Sequence, residues 1–444
     1  MSAQASRVPP PATPRLSEAA GRPRVQFLET AAPLAVRSPP YFATRQTPSA
    51  RSAGWQALSV FSGCGGLDLG FLQEGVFASA AYDIDRKAVA TYGRNLPDIA
   101  RKADLSLSCP THLAAQILLA GAPCQGFSTA GKRELTDPRN ALLMRVADVA
   151  LANETQVVVV ENVPAAVSGV HRRLWVGLED RLRLAGYNVR RITLEGQYCG
   201  LGQHRKRLFL VCWRGSDCIR VEIGKRSPLT VREALNGVTE IGDHEVQWPE
   251  LESRDWVIAR HISAGSKLSN VRISDRAIAT WDIPQIFGEV SQRERAILVA
   301  VARLRRRERV RAFGDGDPVH TSRLSKELCR DVSKDITRLV SAGFLRMIGE
   351  KVELRQTYNG RYRRLAWDAP SPTVDTKFGR ADLFLHPSEH RGMSPREAAR
   401  LQGFPDHFEF LGTRQDKFVQ IGNAVPPPMA SALCEFIREA ILKA

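Results

Sequence analysis

The stretch that most limits the fold is Ala57-Leu-Ser-Val-Phe61 running directly into Ser62-Gly-Cys-Gly-Gly-Leu-Asp-Leu-Gly70. The first five residues read as a buried strand. The glycines after them let the backbone approach a ligand closely. Phe71 to Gly75 then predicts a helix that ends at a glycine, and its free N–H groups would face the same ligand. The spacing departs from GxGxxG because Asp68 stands where the third glycine would be. The next strand, Ala78-Ser-Ala-Ala-Tyr82, ends in Asp83-Ile-Asp85. An acid at the tip of a second strand is placed to accept hydrogen bonds from ribose hydroxyls. Glycine turn and strand-tip acid together predict an open α/β sheet that holds an adenosine-containing cofactor.

The alternation continues. A helix is predicted over 86–95, and a third strand ends near Asp104. A fourth strand, Ile117-Leu-Leu-Ala120, runs into Gly121-Ala-Pro-Cys-Gln-Gly-Phe-Ser-Thr-Ala-Gly-Lys-Arg133. Proline biases the residue before it toward extended geometry, so the chain leaves the strand, turns and presents Cys124. From this stretch alone Cys124 is either a small buried hydrophobe or an exposed nucleophile. A helix over 140–152 leads to Gln156-Val-Val-Val-Val160, whose β-branched run predicts a parallel strand buried on both faces. It ends at Glu161, where open α/β sheets bind ligands. A helix over 171–185 and a strand over 187–194 follow. Gln203-His-Arg-Lys-Arg207 then abuts a last core strand, Leu208-Phe-Leu-Val-Cys212.

After residue 214 this rhythm stops. The chain divides into a Pro/Arg-rich arm (1–52), a catalytic and cofactor-binding domain (53–214), a mixed region (215–363) and a return segment (364–444). The arm holds nine of the 26 prolines and keeps no apolar period, which predicts disorder. Within the mixed region, about 290–355 predicts three helices and a hairpin, a winged-helix-like module opened by a Ser291–Glu294 capping box. Its third helix would turn Ser333, Lys334, Thr337 and Arg338 toward a major groove. A net charge of +16, from 63 basic and 47 acidic side chains, favours a polyanionic partner. Eight cysteines without a CxxC pair argue against a disulfide framework or a metal site, and no apolar run is long enough to span a bilayer. A reducing cytoplasm is expected, with no membrane partner.

Six blocks, in this order, resemble the DNA (cytosine-5)-methyltransferase family of bacterial restriction-modification systems. They are Phe61-Ser-Gly-Cys-Gly-Gly66, Gly121-Ala-Pro-Cys-Gln125, Glu161-Asn-Val163, Gln203-His-Arg-Lys-Arg207, Arg396 to Phe404, and Gln420-Ile-Gly-Asn-Ala-Val425. The resemblance implies a Rossmann-like methyltransferase fold. It places a smaller, mixed target-recognition domain between the fourth and fifth blocks. It also implies S-adenosylmethionine as cofactor. Phe61, Gly63, Gly65 and Gly66 would line its pocket, with Pro123 alongside. Asp83 would meet the ribose, where the family more often has Glu. Ile84 would pack on adenine, Asp104 would meet the adenine amino group, and Asn423 and Val425 would close the methionine end.

The chemistry follows from the substrate. Cytosine C5 is a poor nucleophile until a thiolate adds at C6, and Cys124 is the expected thiolate. Glu161, protonated, would hold N3, and Arg205 and Arg207 would hold the base. A paired cytosine must leave the stack to expose C6, so Gln125, Ser128, Lys132 and Arg133 are expected DNA contacts. The expected partner is double-stranded DNA. The protein would be a monomer near the bacterial nucleoid, with a cognate restriction endonuclease acting on the same site. Two rivals stand: an inactive DNA-binding regulator of the same fold, and an RNA cytosine-5 methyltransferase.

Overall fold

The computed structural model describes residues 54–123, 140–169, 172–215, 222–272, 274–311 and 314–442. The arm predicted over 1–52 lies outside them. Seven strands form one sheet: β1 (Gln56–Val60), β2 (Phe77–Asp83), β3 (Ala100–Lys102), β4 (Ile117–Ala120), β5 (Val157–Asn162), β6 (Asn188–Glu195) and β7 (Lys206–Trp213). Their order is β3-β2-β1-β4-β5-β7-β6, parallel except for β7, which runs antiparallel to both neighbours. Chain order reverses between β1 and β4, so the carboxyl ends of these two strands open the ligand crevice of the sheet.

Helices cover both faces: α1 (Gly66–Gln73), α2 (Arg86–Asn95), α3 (Asn140–Ala152) and α4 (Arg172–Leu184). The valine run explains why both must be covered. Val157 and Val159 enter one apolar cluster while Val158 and Val160 enter the other, the period-two alternation of a strand with no solvent face. α1 begins at Gly66 rather than at Phe71 as predicted. Gly65 caps it in the left-handed region at φ +94°, so the turn closes sooner than the glycine pattern implies.

The region after β7 supplies α5 (Val231–Leu235), α6 (Arg254–His261), β8 (Lys267–Leu268), β9 (Ala277–Ile278) and α7 (Pro284–Phe287). A compact insert follows: α8 (Gln292–Arg307), β10 (Val319–His320), α9 (Thr321–Glu327), α10 (Ser333–Ser341), β11 (Leu345–Ile348) and β12 (Lys351–Leu354). Its three-stranded antiparallel sheet runs β10-β12-β11. The Ser291–Glu294 capping box opens α8, and Ile297, Leu298, Val301 and Leu304 bury the face that the sequence period marked. They pack with Leu324, Ile336, Leu339 and Val352 in a core of the insert's own.

β13 (Arg361–Arg364) and β14 (Phe384–Leu385) join β8 and β9 in a small sheet, ordered β14-β13-β8-β9. The chain then returns to the large sheet through α11 (Pro395–Leu401), α12 (Arg414–Asn423) and α13 (Pro427–Ile437). Gly422 and Asn423 form the last turn of α12. α13 seals α1: a side chain at Gly70 would collide with Ala430 and the Pro427 carbonyl. Ser431 Oγ also donates to Glu74 Oε1 at 2.7 Å.

Candidate active site

The glycine turn is tied to the second strand tip by one carboxylate. Gly63 N–H donates to Asp83 Oδ2 at 2.8 Å, and Asp85 N–H donates to Asp83 Oδ1 at 2.8 Å. Burial pushes the Asp83 carboxyl above its usual range, against the pull of these two N–H groups. Each oxygen keeps a lone pair for a hydroxyl. Beside it, Ile84 is 60% exposed, an apolar side chain held out next to a carboxylate. Phe61 and Gly63 both take positive φ, +54° and +55°, and a side chain at 63 would meet nothing within 4 Å. Open space over the turn, a strand-tip acid and an exposed apolar side chain fit the adenosine part of S-adenosylmethionine. Asp104 Oδ1 accepts from Ser106 N–H at 2.9 Å and Oγ at 2.6 Å, and these bonds hold its carboxyl below the usual range.

Beneath the turn lies a carboxylate whose role the sequence reading missed. Asp68 accepts from Ser59 Oγ at 2.9 Å and from Tyr92 OH at 3.0 Å, joining β1, α1 and α2. Burial pushes its carboxyl up to about 6, although both hydroxyls favour the ionised form. Its place at the missing third glycine was the available signal.

The tips of β4 and β5 meet the same crevice. Gly121 N–H donates to the Val60 carbonyl at 3.2 Å, and a side chain at 121 would press on the Phe61 carbonyl. Buried Asn162 donates to the Ala122 carbonyl at 3.4 Å and accepts from Val163 N–H at 2.9 Å. Glu161 is 8% exposed, with Oε1 2.7 Å from Arg207 Nε. Burial pushes the Glu161 carboxyl up; Arg207 and Arg205 oppose that without cancelling it. Pro123 is the last described residue before 140. Cys124, Gln125, Ser128, Lys132 and Arg133 lie outside the described residues.

Arg205 is where the structure departs from expectation. Its guanidinium is 1% exposed and donates to the carbonyls of Val374, at 2.8 Å, Gly422, at 2.9 Å, and Ala424, at 3.0 Å. That geometry holds the return segment rather than a base. Gln203, also unanticipated, donates to Leu401 O and to Gln402 Oε1 and accepts from Val374 N–H. Gln402 in turn donates to the Ile421 carbonyl at 2.6 Å. The fourth, fifth and sixth sequence blocks are thus one buried hydrogen-bond network. Beside it, Val425 is buried with its carbonyl against Gly66, while Asn423 is exposed.

The residues expected to face DNA divide. Ser333, Lys334 and Thr337 are exposed on α10. Ser333 Oγ caps onto Asp331 at 2.7 Å, and Thr337 Oγ1 donates back to the Ser333 carbonyl at 3.0 Å. Arg338 does not point away from the insert. Its guanidinium grips the α8 capping box, pairing with Glu294 and donating to the Glu289 carbonyl at 2.9 Å. Among the described residues, no three His, Cys, Asp or Glu side chains gather as a metal site would need, and no helix is long and apolar enough to cross a membrane.

A parallel sheet with an antiparallel β7, a glycine turn fastened to a strand-tip acid and a buried glutamate two strands from that turn make up a Rossmann-like methyltransferase fold with an open crevice. The chain belongs to the C-5 cytosine-specific DNA methylase family, whose sequence model matches residues 55–439. It is a DNA cytosine-5 methyltransferase of the bacterial restriction-modification type. The type II methyltransferase M.AgeI of Thalassovita gelatinovora is 29% identical over 456 residues, which cover 87% of this chain and 100% of the relative. M.XorII of Xanthomonas oryzae is 29% identical over 409 residues, covering 87% and 85%. Among solved structures, a prophage-encoded E. coli protein described as a DNA modification methyltransferase superposes with a TM-score of 0.54 at 24% identity, over 88% of this chain and 100% of that one. Entamoeba histolytica EhMeth superposes at 0.51 with 11% identity, over 87% and 98%. These two likenesses speak for the fold.

Proposed function

We propose that the protein methylates C5 of one cytosine within a specific duplex DNA sequence, through a covalent bond between Cys124 and C6 of a flipped-out base. The buried Glu161–Arg207 pair at the tip of β5, one strand from where the chain enters residue 124, carries this reading. S-adenosylmethionine, when bound over the glycine turn, supplies a methyl group on a positively charged sulfur. Phe61, Gly63, Gly65, Gly66, Asp83, Ile84, Asp104, Pro123, Asn423 and Val425 would hold it.

The Cys124 thiolate adds to C6, and the π electrons of the C5–C6 bond shift toward C5, which becomes nucleophilic. Protonated Glu161 donates to N3 and steadies the charge that builds on the ring; its raised pKa favours that form. Arg207 fixes the carboxyl on one oxygen. Once C5 carries the methyl group, a base removes the C5 proton, the C5–C6 double bond reforms and the thiolate leaves. Flipping the cytosine costs a few kcal/mol, which Gln125, Ser128, Lys132 and Arg133 would offset by closing on the DNA. Arg205 serves this site as a positioning residue.

The helix and strand order of the insert, with β10 paired to the second strand of the β11–β12 hairpin, supports a winged-helix module in the target-recognition region. The division into 53–214, 215–363 and 364–444, a monomeric state, action at the bacterial nucleoid and protection of host DNA from a cognate endonuclease complete the reading. Bisulfite sequencing of DNA from cells expressing the protein tests it. A single protected sequence context is expected, absent with Cys124→Ala, and full methylation by that variant would overturn the scheme. Wild type should also trap 5-fluorocytosine DNA covalently, whereas Cys124→Ser should not.

A further inference from the structure

The crevice holds its acids in two ways. At the tip of β5, Glu161 has a cation beside it, with Arg207 Nε 2.7 Å from Oε1. At the glycine turn, Asp68 and Asp83 have no such counter-charge. Among the described residues, their partners are hydroxyls and backbone N–H groups. Cys64, on the turn itself, adds no charge, since burial pushes its thiol up to about 12.

Asp68 is 4% exposed and lies in the first turn of α1. Ser59 Oγ and Tyr92 OH both donate to it, and the Tyr92 ring packs against Gly65, where an added side chain would strike it. Holding that geometry does not need a charge. An amide at 68 can accept from one hydroxyl and donate to the other. A buried ionised carboxyl costs more than a hydrogen-bonded amide. Burial raises the Asp68 carboxyl only to about 6, so at neutral pH the fold carries that charge.

The charge offsets the positive end of α1. A bare helix N-terminus favours anions, and turns of the GxGxxG kind place a pyrophosphate there. Here a carboxylate stands at the position of the third glycine. A turn with two uncompensated acids disfavours phosphate and favours a ligand with positive charge.

We propose that Asp68 is a specificity-determining residue of the cofactor turn: its charge favours S-adenosylmethionine, whose sulfonium is cationic, over the demethylated product S-adenosylhomocysteine, whose sulfur is neutral. This rests on the methyltransferase reading and deepens it. Methyl transfer removes one positive charge from the ligand, so the attraction falls once the product has formed and release is eased. Asp68 acts through the field at the turn and touches neither the base nor the transferred methyl group.

The test is calorimetric titration of the full chain without DNA, at pH 8.5, where Asp68 is ionised. The probes are S-adenosylmethionine, S-adenosylhomocysteine and sinefungin, which carries a cationic amine in place of the sulfonium. Asp68→Asn should weaken both cationic ligands about fivefold relative to S-adenosylhomocysteine. Tyr92→Phe removes one hydrogen bond but keeps the carboxylate, so it should leave that ratio within about twofold of wild type. A wild-type ratio in Asp68→Asn, with all three affinities unchanged or falling together, overturns the proposal and leaves Asp68 a structural role only. An equal change of the ratio in Tyr92→Phe overturns it too, because geometry rather than charge would then set the preference. Failure of the methyltransferase reading looks different: wild type itself would bind none of the three.

Discussion

Arginine does different work in the two halves of the molecule. In the α/β half and its return segment Arg205, Arg364 and Arg396 are buried with backbone carbonyls as their main partners, while others there, such as Arg94 and Arg191, are exposed and pair with acids. Arg205 ties Val374, Gly422 and Ala424; Arg364 ties Ala259 and Ile262. Arg396 donates to the Gly242 and Phe408 carbonyls. In the insert most arginines are exposed and face carboxylates. The first kind fixes where distant segments lie, since each unmet buried carbonyl costs about 1–3 kcal/mol. The second kind adds about 0–1 kcal/mol per pair and removes charge from the surface. A basic sequence is therefore not a basic face.

The comparison can be broken at several depths. The largest expected effect is Cys124→Ala, which should lower methyl transfer by on the order of 10⁴-fold or more while DNA binding persists, measured by single-turnover methyl transfer. It would place all the covalent chemistry in the α/β half. Next is Arg205→Met, which strands three carbonyls and should cost roughly 3–5 kcal/mol by urea titration. A loss under about 1 kcal/mol would erase the distinction between the two kinds of arginine.

Glu161→Ala should then lower kcat by roughly 10²–10³-fold. Because the protonated form acts, wild-type kcat should fall as pH rises through the raised Glu161 pKa. Arg207 pulls that pKa down, so Arg207→Gln should move the falling limb to higher pH. A limb shifted to lower pH contradicts the role given to Glu161.

Asp68→Asn has a smaller effect with a defined sign. A carboxyl raised to about 6 binds its proton more readily folded than unfolded. Its contribution to stability is greatest below about pH 4, is lost as pH rises to about 6, and then stays flat. Wild type should lose about 3 kcal/mol relative to Asp68→Asn between pH 4 and 7. Smallest of all, Arg303→Ala should change stability by less than about 1 kcal/mol.

The large sheet was legible because β1, β2, β4 and β5 are short, largely apolar runs closed by glycine or acid, and both burial faces show in the valines of 157–160. The α2 and α3 boundaries were also legible. The start of α1 was not, because Gly65 and Gly66 look alike in sequence while only Gly65 takes positive φ. Among candidate site residues, Asp83, Glu161 and Arg207 gather in or beside the crevice. Arg205 and Arg338 carry the same charge but act inward, because their partners lie 169 and 44 positions away. No local pattern reveals a partner that distant.

The seal between α1 and α13 also sets an order of events during synthesis. Glu74, at the end of the cofactor helix, bonds a serine 357 positions further on. At about 5–20 residues per second a ribosome needs roughly 20–70 s to cover that distance. Until then the glycine turn has no Val425 behind it and α1 has no helix over Gly70. The first helix of the sheet therefore stays unsealed until almost the whole chain has been made.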